Sequence, residues 1–113
     1  MKIRTKVILT DNQNEPFMGI GVMWLLERID QLGSILAAAN DMHMSYVKAI
    51  RMIKSLEKNL GKDIVVSRIG GRRGGGSYLT PFAYKFLRQY RQLEASIKKL
   101  SQKKFHQFLK GIK

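Results

Sequence analysis

The chain has 113 residues, no cysteine, 44% apolar side chains, and 21 Lys and Arg against 8 Asp and Glu, a formal charge of +13. These figures describe one globular domain with a modest core. They rule out disulfides and cysteine-based metal sites and favour a polyanionic partner, nucleic acid ahead of an anionic membrane. No apolar run approaches the roughly 20 residues that a bilayer span requires, and the opening MKIRTKVILT lacks the apolar core and cleavage site of a signal peptide, so a cytoplasmic protein is expected.

KIRTKVILT is β-branched and roughly alternating, DNQNE is turn chemistry, and Pro16, Phe17 and Met18 follow, which predicts a short N-terminal hairpin. Val22, Leu25, Leu26, Ile29 and Leu32 then recur on one face of a helix that Gly33 stops. Ser34 is placed to cap a second helix, with Ile35, Ala38, Ala39 and Met42 on one side. DMHM interrupts the pattern. Ser45 is placed to cap a third helix, in which Ala49, Ile53, Leu56 and Leu60 repeat before Gly61 ends it. Two helices joined by a short turn, with alanines where they cross, have the form of a helix-turn-helix.

DIVVSR reads as a strand, IGGRRGGGS as a loop and YLT as a short returning strand, so the motif carries a wing. Thr80 and Pro81 open a long helix as cap and first helical residue. Along it Phe86, Tyr90, Leu93, Ile97 and Leu100 form a heptad-like seam suited to pairing with a second copy. The phase then slips toward Phe105, Phe108, Leu109 and Ile112. The expected fold class is mainly α with small β: a winged helix-turn-helix domain over 1–79 with an N-terminal β-hairpin, and a long C-terminal dimerisation helix over 80–113.

The glycine-rich stretch admits several readings. A phosphate-binding catalytic loop needs a Lys before its Ser and a helix directly after it, and GGRRGGGS has neither. RGG-type RNA tracts are longer and repeated, and a plain linker is not flanked so closely by β-like residues. A wing fits best: glycines allow close approach to a phosphate backbone, and Arg72 and Arg73 suit phosphates or a narrow minor groove.

The N-terminal part of the second motif helix reads base edges in such folds, which selects Ser45, Tyr46, Lys48 and Arg51. Arg51 or Lys48 suits guanine O6 and N7, and Tyr46 suits a phosphate or a thymine methyl. Lys54, Arg68, Arg72 and Arg73 are expected at phosphates, and the backbone of Ser34 is a further candidate. His43, His106, Asp11 and Glu15 form no catalytic or metal-ligating constellation, so no enzyme, metal or cofactor is expected.

The stretch GSILAAANDMHMSYVKAIRMIKSLEKNLGKDIVVSRIGGRRGGGSYLTP resembles the N-terminal DNA-binding domain of ModE-type molybdate-responsive regulators, and more distantly the LysR-type winged helix-turn-helix. The features that carry it are GSI..AA, MSY..A, the LG closing the third helix, the glycine-rich wing and the LTP opening the long helix. The resemblance covers roughly 2–93 and implies a dimeric bacterial transcription factor, with Ser45, Tyr46 and Lys48 at the start of the recognition helix and Gly70 to Gly76 in the wing. Ile50 departs from the tryptophan many such sequences carry. The molybdate-binding domains are not in this sequence, so no molybdate site is expected in this chain.

The expected function is a sequence-specific, nucleoid-associated transcriptional regulator. It would act as a homodimer through Phe86, Tyr90, Leu93, Ile97 and Leu100 on a pseudo-palindromic double-stranded operator, with helix 45–60 in the major groove and wing 69–77 on the backbone or minor groove. The alternative is a non-specific architectural DNA- or RNA-binding protein.

Overall fold

The computed structural model describes residues 1–68 and 76–113, which run β1 (Leu9–Thr10), β2 (Pro16–Met18), α1 (Ile20–Leu32), α2 (Ile35–Asp41), α3 (Tyr46–Leu60), β3 (Val65–Arg68), β4 (Gly76–Leu79) and α4 (Pro81–Gly111). The first strand is far shorter than the alternation of KIRTKVILT predicts: Leu9 pairs with Met18 and Thr10 with Pro16. Its partner strand ends where α1 begins at Ile20, so the backbone before Leu9 has no ladder to join. The turn between the strands is built on Asp11, whose Oδ1 accepts from Gln13 N at 2.8 Å and Glu15 N at 3.0 Å. Asn14 supplies the positive φ of 68°.

The residues before Leu9 lie instead as an arm along α4. Ile3 and Val7 are half-buried while Lys2, Arg4 and Lys6 are exposed. The Tyr90 hydroxyl donates to Val7 O at 2.7 Å, and Arg4, Thr5 and Val7 share a cleft with Glu94, Lys98 and Ser101. This arrangement explains the phase slip in the last helix. Residues 94, 98, 101, 105, 108 and 112 are one continuous helical row, so the aromatic end of α4 prolongs the side on which the arm lies. Leu93, Ile97 and Leu100 occupy a different side.

The three helix starts in the sequence are capped as expected. Ser34 Oγ accepts from Ala37 N at 3.1 Å, Ser45 Oγ from Lys48 N at 3.1 Å and Thr80 Oγ1 from Ala83 N at 3.1 Å. The ends of α1 and α3 are closed by Gly33 and Gly61 at φ 68° and 66°, conformations that cost other residues strain. Between α2 and α3 the chain turns through His43, itself at φ 56°.

The core lies where α1, α2 and α3 meet. Leu25, Leu26, Ile29, Ala38, Ala39, Ala49, Leu56 and Ile64 are all 0% exposed. The three alanines let the helices approach closely, and burying each of the large aliphatic side chains contributes about 1.5–3 kcal/mol. Ala83, Leu87 and Tyr90 belong to the same cluster, so the first turns of α4 pack with the elements before residue 80.

The wing hairpin pairs Val65 with Leu79, Val66 with Tyr78, Ser67 with Ser77 and Arg68 with Gly76. The returning strand thus starts at Gly76, two residues before the expected YLT, and Thr80 serves as cap rather than strand. The reason is tertiary: Ser77 N donates to Gly33 O at 2.9 Å, tying β4 to the turn between α1 and α2. A Cβ on Gly76 would sit 3.1 Å from that same carbonyl oxygen, so glycine permits the approach. Glu57 fixes the other side, its Oε2 accepting from Ile64 N at 2.9 Å and Val65 N at 3.4 Å.

Candidate nucleic-acid interface

The buried face of α3 carries Ala49, Ile53 and Leu56. On its opposite side Val47, Arg51, Lys54 and Lys58 form an exposed row, flanked by Lys48 and by Tyr46 at 48% exposure. Three of the four members of the row are cationic, and no acid stands in the first turn of α3. Among the described residues, no carboxylate forms an ion pair with Lys48 or Arg51. Lys54 lies 3.6 Å from Glu57, but Lys54 is 74% exposed and such a pair is weak enough to yield to a phosphate.

Ser45 is exposed, and its hydroxyl oxygen is engaged as the α3 cap. Ser34 is half-buried and likewise holds its own helix, at the far end of α2 from the α3 row. Arg68 extends from β3 with its guanidinium 5.5 Å from the centroid of the exposed Tyr78 ring, which presents a flat cationic and aromatic pair beside the wing. Arg72 and Arg73, with 69–75 of the wing, lie outside the described residues.

Polar side chains tie α1 to the helices on either side of it. Arg28 Nε bonds Asp41 Oδ2 at 2.7 Å, linking α1 to α2, and Arg91 bonds Glu27 at 3.1 Å, linking α1 to α4. The Tyr84 hydroxyl donates to the Asp30 carboxylate. That bond, with lesser effects of lost hydration and of the carboxylate's charge, holds the Tyr84 phenol above its usual range. Tyr90 is raised as well, first by burial and then by the charge of Glu94.

The seam of α4 divides. Tyr90 is 3% exposed and Phe86 half-buried, stacked on it at 6.4 Å between centroids, so both are committed largely to their own domain. Leu93, Ile97 and Leu100 are 41%, 36% and 55% exposed.

Three features of this surface were not singled out in the sequence. The alternation of Lys2, Arg4 and Lys6 resembles an ordinary strand, yet it delivers Arg4 and Lys6 to the wall of an open cleft of about 640 Å³ shared with Lys48 and Arg51. Lys58 continues the exposed row toward the end of α3, and Tyr78 adds an exposed aromatic ring on β4. The repeat of 47, 51, 54 and 58 is a signal that finds Lys58. Nothing in the sequence brings the arm to α3.

Residues 22–84 match the family described as bacterial regulatory helix-turn-helix protein, lysR family. The molybdenum-pterin-binding protein MopB of Rhodobacter capsulatus is 36% identical over 83 residues, 74% of this chain and 31% of that protein. The transcriptional regulator ModE of Haemophilus influenzae is 33% identical over 91 residues, 80% of this chain and 36% of its own. The molybdenum transport protein ModE of Azotobacter vinelandii is 39% identical over 70 residues, 62% of this chain and 26% of its own. The chain thus spans about a third or less of the length of these relatives. Among solved structures, the CbnR DNA-binding domain in complex with DNA aligns with a TM-score of 0.53 at 22% identity, covering 85% of this chain and 100% of that one. Full-length CbnR with its target DNA aligns at 0.56 and 22% identity, covering 77% and 28%. At such identity the likeness is one of fold.

Proposed function

The chain belongs to the lysR family of bacterial regulatory helix-turn-helix proteins, and from that premise we propose that it is a dimeric, sequence-specific transcriptional regulator that reads DNA with α3. The observation that carries this reading is the pair Lys48 and Arg51: exposed, without a carboxylate partner among the described residues, and mounted on a rigid, capped helix whose other face is core. In the major groove, Arg51 supplies the bidentate geometry for guanine O6 and N7, Lys48 a point charge, and Tyr46 contact with a phosphate or a thymine methyl. Ser45 positions the first turn. Lys54 and Arg68 neutralise phosphates and set register without reading sequence, as do Arg72 and Arg73 of the wing on their chain position alone. Ser34 contributes through its backbone.

Two copies pair through Leu93, Ile97 and Leu100, with Phe86 at the edge, Tyr90 bracing the helix from its own domain, and α4 about 46 Å long at 1.5 Å per residue. The paired recognition helices then meet half-sites of a pseudo-palindrome about 34 Å apart, or a multiple of that. Such a protein works in the cytoplasm, on the nucleoid.

A charge of +13 supports a second reading, a non-specific architectural binder. Selection of bound sequences from a random duplex library at near-physiological salt separates the two. The regulator enriches a palindromic motif, Arg51→Ala relaxes it at one base position at a cost of about 1–3 kcal/mol, and Arg72→Ala/Arg73→Ala weakens all sequences alike. Tight, salt-sensitive binding with no enriched motif refutes the regulator and establishes the architectural protein.

A further inference from the structure

The open cleft beside α3, about 640 Å³, shares Lys48 and Arg51 with the reading above, which assigns it no occupant. It is bounded by the arm, β2, the start of α1, α3 and α4, and its floor is apolar, with Val7, Phe17, Val22 and Met52. Four cations stand on its walls: Arg4 and Lys6 from the arm, Lys48 and Arg51 from α3, against a single carboxylate, Glu94. The polar tip of Tyr90 is already engaged with Val7 O at 2.7 Å. An apolar concavity of this size with a few convergent charged groups is the form that small-molecule sites take.

The lining selects the chemistry of an occupant. The floor favours a hydrocarbon body, because water there is in contact with apolar surface that a chain would cover. The walls favour a negative head, because four like charges around one concavity repel one another and an anion relieves that repulsion. A densely charged polyanion leaves the floor uncovered, and a cation or neutral hydrocarbon leaves the walls uncompensated.

We propose that this cleft binds an amphipathic carboxylate, with its hydrocarbon on the Met52 floor and its head between Lys48 and Arg51, and that occupancy opposes DNA binding. The two side chains cannot neutralise a ligand carboxylate and contact base edges at the same time. The antagonism therefore rests on the assignment of Lys48 and Arg51 to DNA, whereas the cleft itself does not. Linkage makes the effect reciprocal: the factor by which the ligand weakens DNA binding is the factor by which DNA weakens the ligand.

The test uses sodium decanoate below its micellar threshold, with acetate and decyltrimethylammonium as controls for chain and charge. Calorimetry of the full chain without DNA reads the cleft, and fluorescence anisotropy of a labelled duplex reads the antagonism. Decanoate is expected to bind saturably and the two controls not to. Lys48→Gln/Arg51→Gln weakens it about three- to tenfold, the range for partly exposed charge contacts. Lys103→Gln/Lys104→Gln, with the same change in net charge at the far end of α4, leaves it unchanged. Met52→Glu abolishes it, and the exposed Lys48/Arg51 pair keeps the test open should that variant fold poorly. Saturating decanoate lowers affinity for the duplex. Equal binding by both double variants, or equal binding of decyltrimethylammonium, overturns the site. Saturable decanoate binding with no change in DNA affinity overturns the antagonism. A chain that binds no duplex even without decanoate refutes the DNA reading on its own, since the calorimetry is run without DNA.

Discussion

Glu57 stands on a cationic helix and is legible in sequence as an ordinary surface acid, yet its side chain is 14% exposed and one of its oxygens serves two backbone amides of the wing. Replacing it with alanine leaves Ile64 N–H without its acceptor at a residue that is 0% exposed, and removes the longer bond to Val65. A hydrogen bond to a charged acceptor contributes about 1.5–3 kcal/mol, and an orphaned buried donor costs a similar amount. The second bond, at 3.4 Å, adds little. Glu57→Ala is therefore expected to cost about 2–3 kcal/mol, and Glu57→Gln, which keeps a neutral acceptor, about half as much. Urea denaturation at one fixed protein concentration reads this as a midpoint lowered by about 1 M at the usual slope for a domain of this size. Because the bonds anchor β3, DNA affinity is expected to fall uniformly across sequences in the alanine variant. A Glu57→Ala midpoint indistinguishable from wild type, or a glutamine variant as unstable as alanine, refutes the anchoring role.

Ser45→Ala removes the cap of α3 and is expected to cost about 1 kcal/mol in the same assay, while Ser45→Gly costs only a few tenths. Leu93→Asp/Ile97→Asp is expected to convert a dimer to a folded monomer in sedimentation. Leu87→Asp, at a position 3% exposed, instead abolishes folding, and a double aspartate variant that stays dimeric refutes the seam. For Tyr84 and Tyr90 the folded-state pKa lies above the unfolded value of 10.0, so their contribution is complete below that pH and is lost as pH rises through the folded value. Thermal melts should thus decline above about pH 10, and less steeply in Tyr90→Phe, which also forfeits about 1 kcal/mol with its bond to Val7. An unchanged alkaline profile in that variant counts against the tyrosine.

Most of the helical frame follows from local chemistry. Ser34, Ser45 and Thr80 cap, Gly33 and Gly61 stop, and the spacing of Ala49, Ile53 and Leu56 points one face of α3 inward. These signals act within one or two helical turns, so a linear reading contains them, and with them the placement of Lys48 and Arg51 on the opposite face. The resemblance to molybdate-responsive and LysR-type regulators draws on several of the same residues together with the glycine-rich wing. Strand ends are not local in this way, because a strand is defined by its partner: the alternation before Leu9 has none, and β4 reaches back to Gly76, which pairs with Arg68, where Gly33 O accepts from Ser77 N.

What tertiary structure alone decided is everything that joins distant segments. It laid the arm along α4 and divided the apolar seam between a side turned to Val7 and a side left exposed. It recruited Glu57 from α3 to hold the wing, and placed Arg4 and Lys6 beside Lys48 and Arg51 around one cleft. Periodicity reports which face of a helix is apolar but not which neighbour covers it. That choice is made by packing, where burial of shared surface and satisfaction of backbone hydrogen bonds are settled between residues far apart in the chain.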